Sequence, residues 1–121
     1  MKVELIDLKK RSLYERDELI KCVDKILKKG SFVLTEEVSN FENKICKYTK
    51  SKYCLGLNSG TDALMMSLWS LGIKRGDEVI TSPISFIASA GAISHVGAIP
   101  IFVDVKDDLN INENLIINAI T

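Results

Sequence analysis

The 121-residue chain has two prolines, one histidine, one tryptophan and three cysteines, and its sixteen basic side chains are matched by sixteen acidic ones. Zero net charge removes any electrostatic reason to expect nucleic acid or an anionic membrane as a partner. Cys22, Cys46 and Cys54 are odd in number and widely spaced. That pattern fits neither a disulfide framework nor a zinc knuckle, and it leaves buried free thiols as the expectation. The solitary His95 has no evident acidic partner and reads as structural rather than as a general base. No apolar run approaches the roughly 20 residues that cross a bilayer. The N-terminus alternates charged with apolar residues and has no signal-peptide h-region. These absences, with no repeats and no low-complexity tract, point to a soluble cytoplasmic chain. At 46% hydrophobic it can bury a core at this length.

Two textures divide the sequence. Through Lys52 there are 13 basic and 9 acidic residues, and from Tyr53 onward 3 basic and 7 acidic, so the halves carry +4 and −4. The boundary predicts residues 1–52 as an arm with two helices and 53–121 as a separate, incomplete domain. In the first part, Ser12 and Glu15 have capping-box spacing, and Leu19, Ile20, Val23, Ile26 and Leu27 recur at helical intervals until Gly30. This predicts a helix over about 13–29. Thr35 can cap a second helix, with Glu36 and Glu37 at its positive end, an apolar face of Val38, Phe41, Ile45 and Tyr48, and an end near Lys50.

After Tyr53 the pattern becomes strand, helix, strand, helix, strand, helix. The predicted strands are 53–57, 78–81 and 101–105. The predicted helices are 60–71, with Leu64, Leu68 and Leu71 inward, then 85–96, and another from Asn112. Such alternation implies crossover connections and therefore an α/β fold with a largely parallel sheet. The continuous apolar run Ile101-Phe102-Val103 suits a strand covered on both faces. Three strands make an incomplete sheet, so the sequence is expected to be the N-terminal part of a longer protein or a truncated product of one.

Two segments carry chemistry. Asn58-Ser59-Gly60-Thr61-Asp62-Ala63-Leu64 leaves a strand and enters a helix, the place where α/β proteins present unpaired N–H groups to ligands. Gly60 permits close approach, Thr61 adds a hydroxyl to its own N–H, and the helix dipole favours a phosphate. The same residues also read as a cap and a turn, since neither a G-x-G-x-x-G pattern nor a Walker lysine is present. In Thr81-Ser82-Pro83-Ile84-Ser85-Phe86, Pro83 stiffens a second strand exit and Phe86 offers a flat face beside the phosphate turn. A core phenylalanine is the other reading. The small residues from Ala88 to Ala92 suit a helix lying close on a sheet.

These segments, with Gly72-Ile73-Lys74-Arg75-Gly76-Asp77-Glu78-Val79-Ile80-Thr81 and Gly97-Ala98-Ile99-Pro100-Ile101-Phe102-Val103-Asp104-Val105, resemble the DegT/DnrJ/StrS-type sugar aminotransferases. Those are pyridoxal-phosphate enzymes of the aspartate-aminotransferase fold, type I, whose large domain is a three-layer α/β/α sheet. The resemblance covers nearly the whole chain, from Ile6-Asp7-Leu8 onward. It implies that Ser59, Gly60 and Thr61 hold the phosphate of pyridoxal 5'-phosphate, that Phe86 stacks on its ring, and that Phe32, Val33 and Leu34 face a nucleotide-sugar. Apolar packing at an interface is the other reading of that loop. Thr35 stands where the family commonly has glycine.

The resemblance further implies transamination of a nucleotide-linked keto-sugar, with glutamate as donor, for cell-surface glycans, in a homodimer. The wording around Phe86 is similar to enzymes acting on 4-keto-6-deoxy sugars. The family's Schiff-base lysine and its ring-nitrogen aspartate have no counterpart here. Lys74 and Lys106 lie outside the lysine motif, and Asp104 and Asp107 read as strand-end and turn residues. The chain alone is therefore expected to be inactive. A non-catalytic phosphate- or nucleotide-binding module, or a remnant that docks on a full-length relative, is the alternative.

Overall fold

A computed structural model describes residues 5–121, and the charged start of the sequence at residues 1–4 lies outside them. The chain divides after Gly56 into two compact units. The expected boundary at Lys52 moves because the Gly56 N–H donates to Glu42 Oε1 at 2.7 Å, which ties residues 53–56 to the first unit.

The first unit holds α1 (Leu8–Lys29) and α2 (Glu36–Thr49). Helix α1 starts five residues before the predicted start at 13, because Asp7 rather than Ser12 caps it: its carboxylate accepts the Lys10 N–H at 2.8 Å. Ser12 lies inside the helix, and Glu15 pairs instead with Arg11 at 3.0 Å. Gly30 ends α1 in the left-handed conformation, its N–H bonded to the carbonyls of Ile26 and Leu27. Thr35 begins α2 in extended backbone, and Glu36 and Glu37 stand in the first turn as the dipole favours. The left-handed residue of the connecting loop is Leu34, at φ 50°. A branched side chain is strained there by roughly 1–2 kcal/mol.

The second unit is built on α3 (Gly60–Ser70), β1 (Glu78–Thr81), α4 (Ala88–His95), β2 (Ile99–Phe102) and the short α5 (Glu113–Ile116), which runs on into a 3₁₀ turn at Ile117–Ala119. The strands are parallel, in the register Glu78 to Ile99 and Thr81 to Phe102. The unit is α/β, as expected, but with two strands among the described residues. Residues 53–57 run outside any strand, since no neighbouring strand among the described residues offers them a ladder. Strand β2 begins two residues before the predicted 101, since pairing with β1 and not apolarity sets its start. Val103 is buried while Phe102 is 55% exposed, so the strand is not covered on both faces.

The core lies where the helices cross the sheet. Ala92, Ile93, Val96, Ala98 and Val103 are buried, and Met65, Leu68, Ile73 and Val79 pack against this cluster. Leu68 points inward as predicted, whereas Leu64 and Leu71 are exposed. The small side chains of α4 let it pack on both α3 and the strands. At its far end Gly97 takes φ +85°, which favours glycine, and a Cβ there would crowd Arg75 Cβ at 3.2 Å. Of the thiols expected to be buried, Cys22 is exposed and Cys46 and Cys54 are half-buried. His95 is exposed, with Nδ1 2.9 Å from the Gly91 carbonyl inside its own helix. Among the described residues no helix is long and apolar enough to cross a membrane.

Candidate functional site

The carboxyl ends of the parallel strands define one rim of the second unit. Helices α3 and α4 both end at the opposite edge, where Ile73, Val96 and Ala98 cluster and the Gly76 N–H meets the Gly97 carbonyl at 3.2 Å. Their N-termini therefore open on the rim where β1 exits at Thr81. Below that rim, between the bodies of the two helices and β1, a cleft of about 240 Å³ is lined by Leu64 and Leu68 of α3, Thr81 of β1, and Ser89 and Ile93 of α4.

The first turn of α3 is organised by Ser59. Its Oγ accepts the Asp62 N–H at 3.1 Å and donates to Asp62 Oδ2 at 2.8 Å, while its carbonyl accepts the Ala63 N–H. Ser59 is thus occupied as a cap. The next two N–H groups, of Gly60 and Thr61, meet no acceptor among the described residues. Thr61 is half-buried, and a Cβ built on Gly60 would find nothing within 4 Å, so space stands open against its α-carbon. Unpaired donors, a positive helix end and open space are what an anionic ester needs.

Phe86 stands in the loop between β1 and α4 on the same rim and is 76% exposed. Its carbonyl accepts the Ser89 N–H at 3.0 Å, Ser85 and Ser89 join hydroxyls at 2.8 Å, and Ser82 Oγ accepts the Ile84 N–H at 3.2 Å. The backbone beneath the ring is thus held while the ring itself is free.

Phe32, Val33 and Leu34 belong to the first unit, in the loop between α1 and α2, and are 65%, 81% and 93% exposed. Beside this loop Lys29 Nζ lies 2.9 Å from Glu37 Oε1. The hydrogen bond to Lys29, the helix-start N–H of Glu37 itself and the lysine charge pull the Glu37 carboxyl down to about 2, and the same contact raises Lys29. The ion pair closes the loop at its base.

The chain matches the DegT/DnrJ/EryC1/StrS aminotransferase family over residues 13–121. It belongs to that family. It is 33% identical over 120 residues to the UDP-2-acetamido-2-deoxy-3-oxo-D-glucuronate aminotransferase of Pseudomonas aeruginosa, covering 98% of this chain and 33% of that protein. The crystal structure of DesV from S. venezuelae superposes with a TM-score of 0.94 at 36% identity, over 98% of this chain and 32% of the other. NtdA from Bacillus subtilis, solved with bound cofactor PMP, superposes at 0.83 with 33% identity, over 88% and 25%. The chain spans about a third of the length of the relatives it matches.

Two features of this family member were not read from the sequence. The Ser59–Asp62 reciprocity has a local signal, serine followed three residues later by an acid, the spacing that misleads at Ser12. The Ser85–Ser89 hydroxyl pair has only helical spacing, which any two serines four apart would share.

Proposed function

We propose that the rim formed by Gly60, Thr61 and Phe86 is the phosphate-and-ring half of a pyridoxal 5'-phosphate site in an aminotransferase acting on a UDP- or dTDP-linked keto-sugar. What carries the reading is the pair of unpaired N–H groups at Gly60 and Thr61, on the same rim as an aromatic ring held by its backbone but left bare. The residues fit the group: open space at Gly60 admits a phosphate, and the Phe86 ring offers a flat apolar face for a heterocycle.

Bound there, the cofactor supplies an electron sink for moving an amino group between donor and sugar. The Gly60 and Thr61 N–H groups, with the Thr61 hydroxyl, bind the phosphate dianion. Phe86 orients the ring and keeps water from one face. Ser59 holds the turn through Asp62 rather than touching the phosphate with its hydroxyl. Phe32, Val33 and Leu34 supply apolar surface toward the nucleotide-sugar. Glutamate serves as amino donor, and a second copy of the full-length protein completes the site.

No lysine of the second unit stands ready for covalent attachment. Lys74 lies in the turn at the edge opposite the rim, and Lys106 Nζ is paired with Glu113 Oε2 at 2.8 Å. The 121 residues alone therefore bind cofactor weakly and do not transaminate.

Pyridoxamine 5'-phosphate is the appropriate probe, since it lacks the aldehyde that would label surface lysines. Titrated into ¹⁵N-labelled chain, it shifts the Gly60 and Thr61 amide resonances and the Phe86 ring signals saturably, and inorganic phosphate competes. Saturation by a nucleotide with no response to the probe would replace the cofactor reading with a phosphate-binding module. Unmoved Gly60 and Thr61 resonances would sink both.

A further inference from the structure

We propose that Cys46 and Cys54 form a redox-active dithiol pair that closes to an intramolecular disulfide on reaction with a small disulfide such as glutathione disulfide. Register argues for it first. After α2 the chain reverses at Lys50, which takes the left-handed conformation, and residues 53–56 return along the helix. Gly56 is pinned there: its N–H reaches Glu42 Oε1 at 2.7 Å, and a Cβ on it would stand 3.7 Å from Val38 Cγ1. Cys54 lies two residues back, up to about 6.6 Å toward the C-terminal end of α2. Cys46 lies one turn beyond Glu42 on the same face, about 6 Å along in the same direction. The two steps match.

Exposure agrees with the register. Tyr53 and Leu55 are exposed while Cys54 between them is half-buried, so Cys54 lies on the more covered side of the segment. On α2, Glu42, Ile45 and Cys46 are half-buried while Asn43, Lys44 and Lys47 are exposed. Cys54 also senses its surroundings on α2: partial burial first, then charge on Cys46 and on Glu42, push its thiol up. Cys22 is the exposed thiol on α1 and serves as an internal reference.

The reaction balances without any metal. One thiolate attacks glutathione disulfide, breaking its S–S bond and releasing one glutathione thiol. The second cysteine sulfur, losing its proton, then displaces the other glutathione from the mixed disulfide. The Sγ–Sγ bond forms, the two cysteines lose two electrons and two protons, and two glutathione thiols leave with them. The product ties α2 covalently to residues 53–56.

The test treats the folded chain with glutathione disulfide, caps remaining thiols with iodoacetamide, and reads intact mass and tryptic peptides. Closure gives a loss of two hydrogens, a single cap on Cys22, and peptide 45–47 joined to peptide 53–74. Cys22→Ser leaves closure unchanged, and Cys54→Ser arrests the reaction as a glutathione adduct on Cys46. In urea the folded juxtaposition is lost and closure slows by about tenfold. Full capping of Cys46 and Cys54, stable glutathione adducts on both, linkage through Cys22, or an unchanged rate in urea would each overturn the proposal.

Discussion

Ser59 and Asp62 close on each other at the start of α3, the hydroxyl accepting from the Asp62 N–H at 3.1 Å and donating to its carboxylate at 2.8 Å. The reciprocity satisfies one of the orphan donors of the helix and leaves those of Gly60 and Thr61 for a ligand. Ser59→Ala should therefore act on the helix. Its expected cost is about 1 kcal/mol, read as faster amide exchange in the first turn of α3 and a lower thermal midpoint. Unchanged exchange at Asp62 and Ala63 would show that the cap contributes nothing.

Gly60→Ala separates folding from binding. The added methyl meets no atom within 4 Å, so the helix tolerates it and thermal stability does not fall. The methyl occupies the space proposed for the phosphate, and binding of pyridoxamine 5'-phosphate should weaken by about tenfold, near 1.4 kcal/mol. Equal affinity in the two proteins would remove Gly60 from the site.

Phe86→Ala makes the complementary test on the ring. At 76% exposure the side chain contributes little to the core, so stability should change by less than about 0.5 kcal/mol. Lost stacking of about 0.5–1.5 kcal/mol should weaken probe affinity roughly two- to tenfold. Phe86→Trp, which keeps a face, should retain it. A large stability loss in Phe86→Ala would mean the ring packs inward.

The Lys29–Glu37 pair predicts two pH limits on the loop that carries Phe32–Leu34. The Glu37 carboxyl is lowered from 4.5 to about 2, so its contribution is present above pH 4.5 and fades as pH falls toward 2. Lys29 is raised above 10.5, so the lysine side of the same contact is present below 10.5 and is lost as pH rises through the folded value. An NMR titration of the Glu37 side chain should show the low midpoint, moving upward in high salt because both groups remain partly exposed. A midpoint near 4.5 at low salt would mean that the pair does not form in solution.

Ile93→Ala tests the core beneath the rim. Ile93 is 4% exposed and packs with Val96 and Ala98, and truncation should cost about 2–3 kcal/mol. Circular dichroism melting reads the loss. A change below about 0.5 kcal/mol would show that the cleft collapses onto the vacated space.

The composition and local pattern determined a good deal by themselves. The apolar spacing of Leu19, Ile20, Val23 and Leu27, the glycine stop at Gly30, the acidic start of α2 and the serine–glycine–threonine turn before α3 all act within one helical turn, so neighbouring residues suffice to specify them. The edges of β1 were legible because the turn around Gly76 and the strand exit toward Pro83 bracket it. Tertiary structure decided what depends on distant partners. Strand β2 starts at Ile99 because Glu78 pairs with it. Residues 53–56 join the first unit because Glu42 captures the Gly56 N–H. Phe86 stays bare because its loop is held by backbone and serine hydrogen bonds, and Gly56 lies against Glu42 because the chain doubles back along α2. A ladder, a capture and a register each need a second surface, and no short stretch of chain contains one.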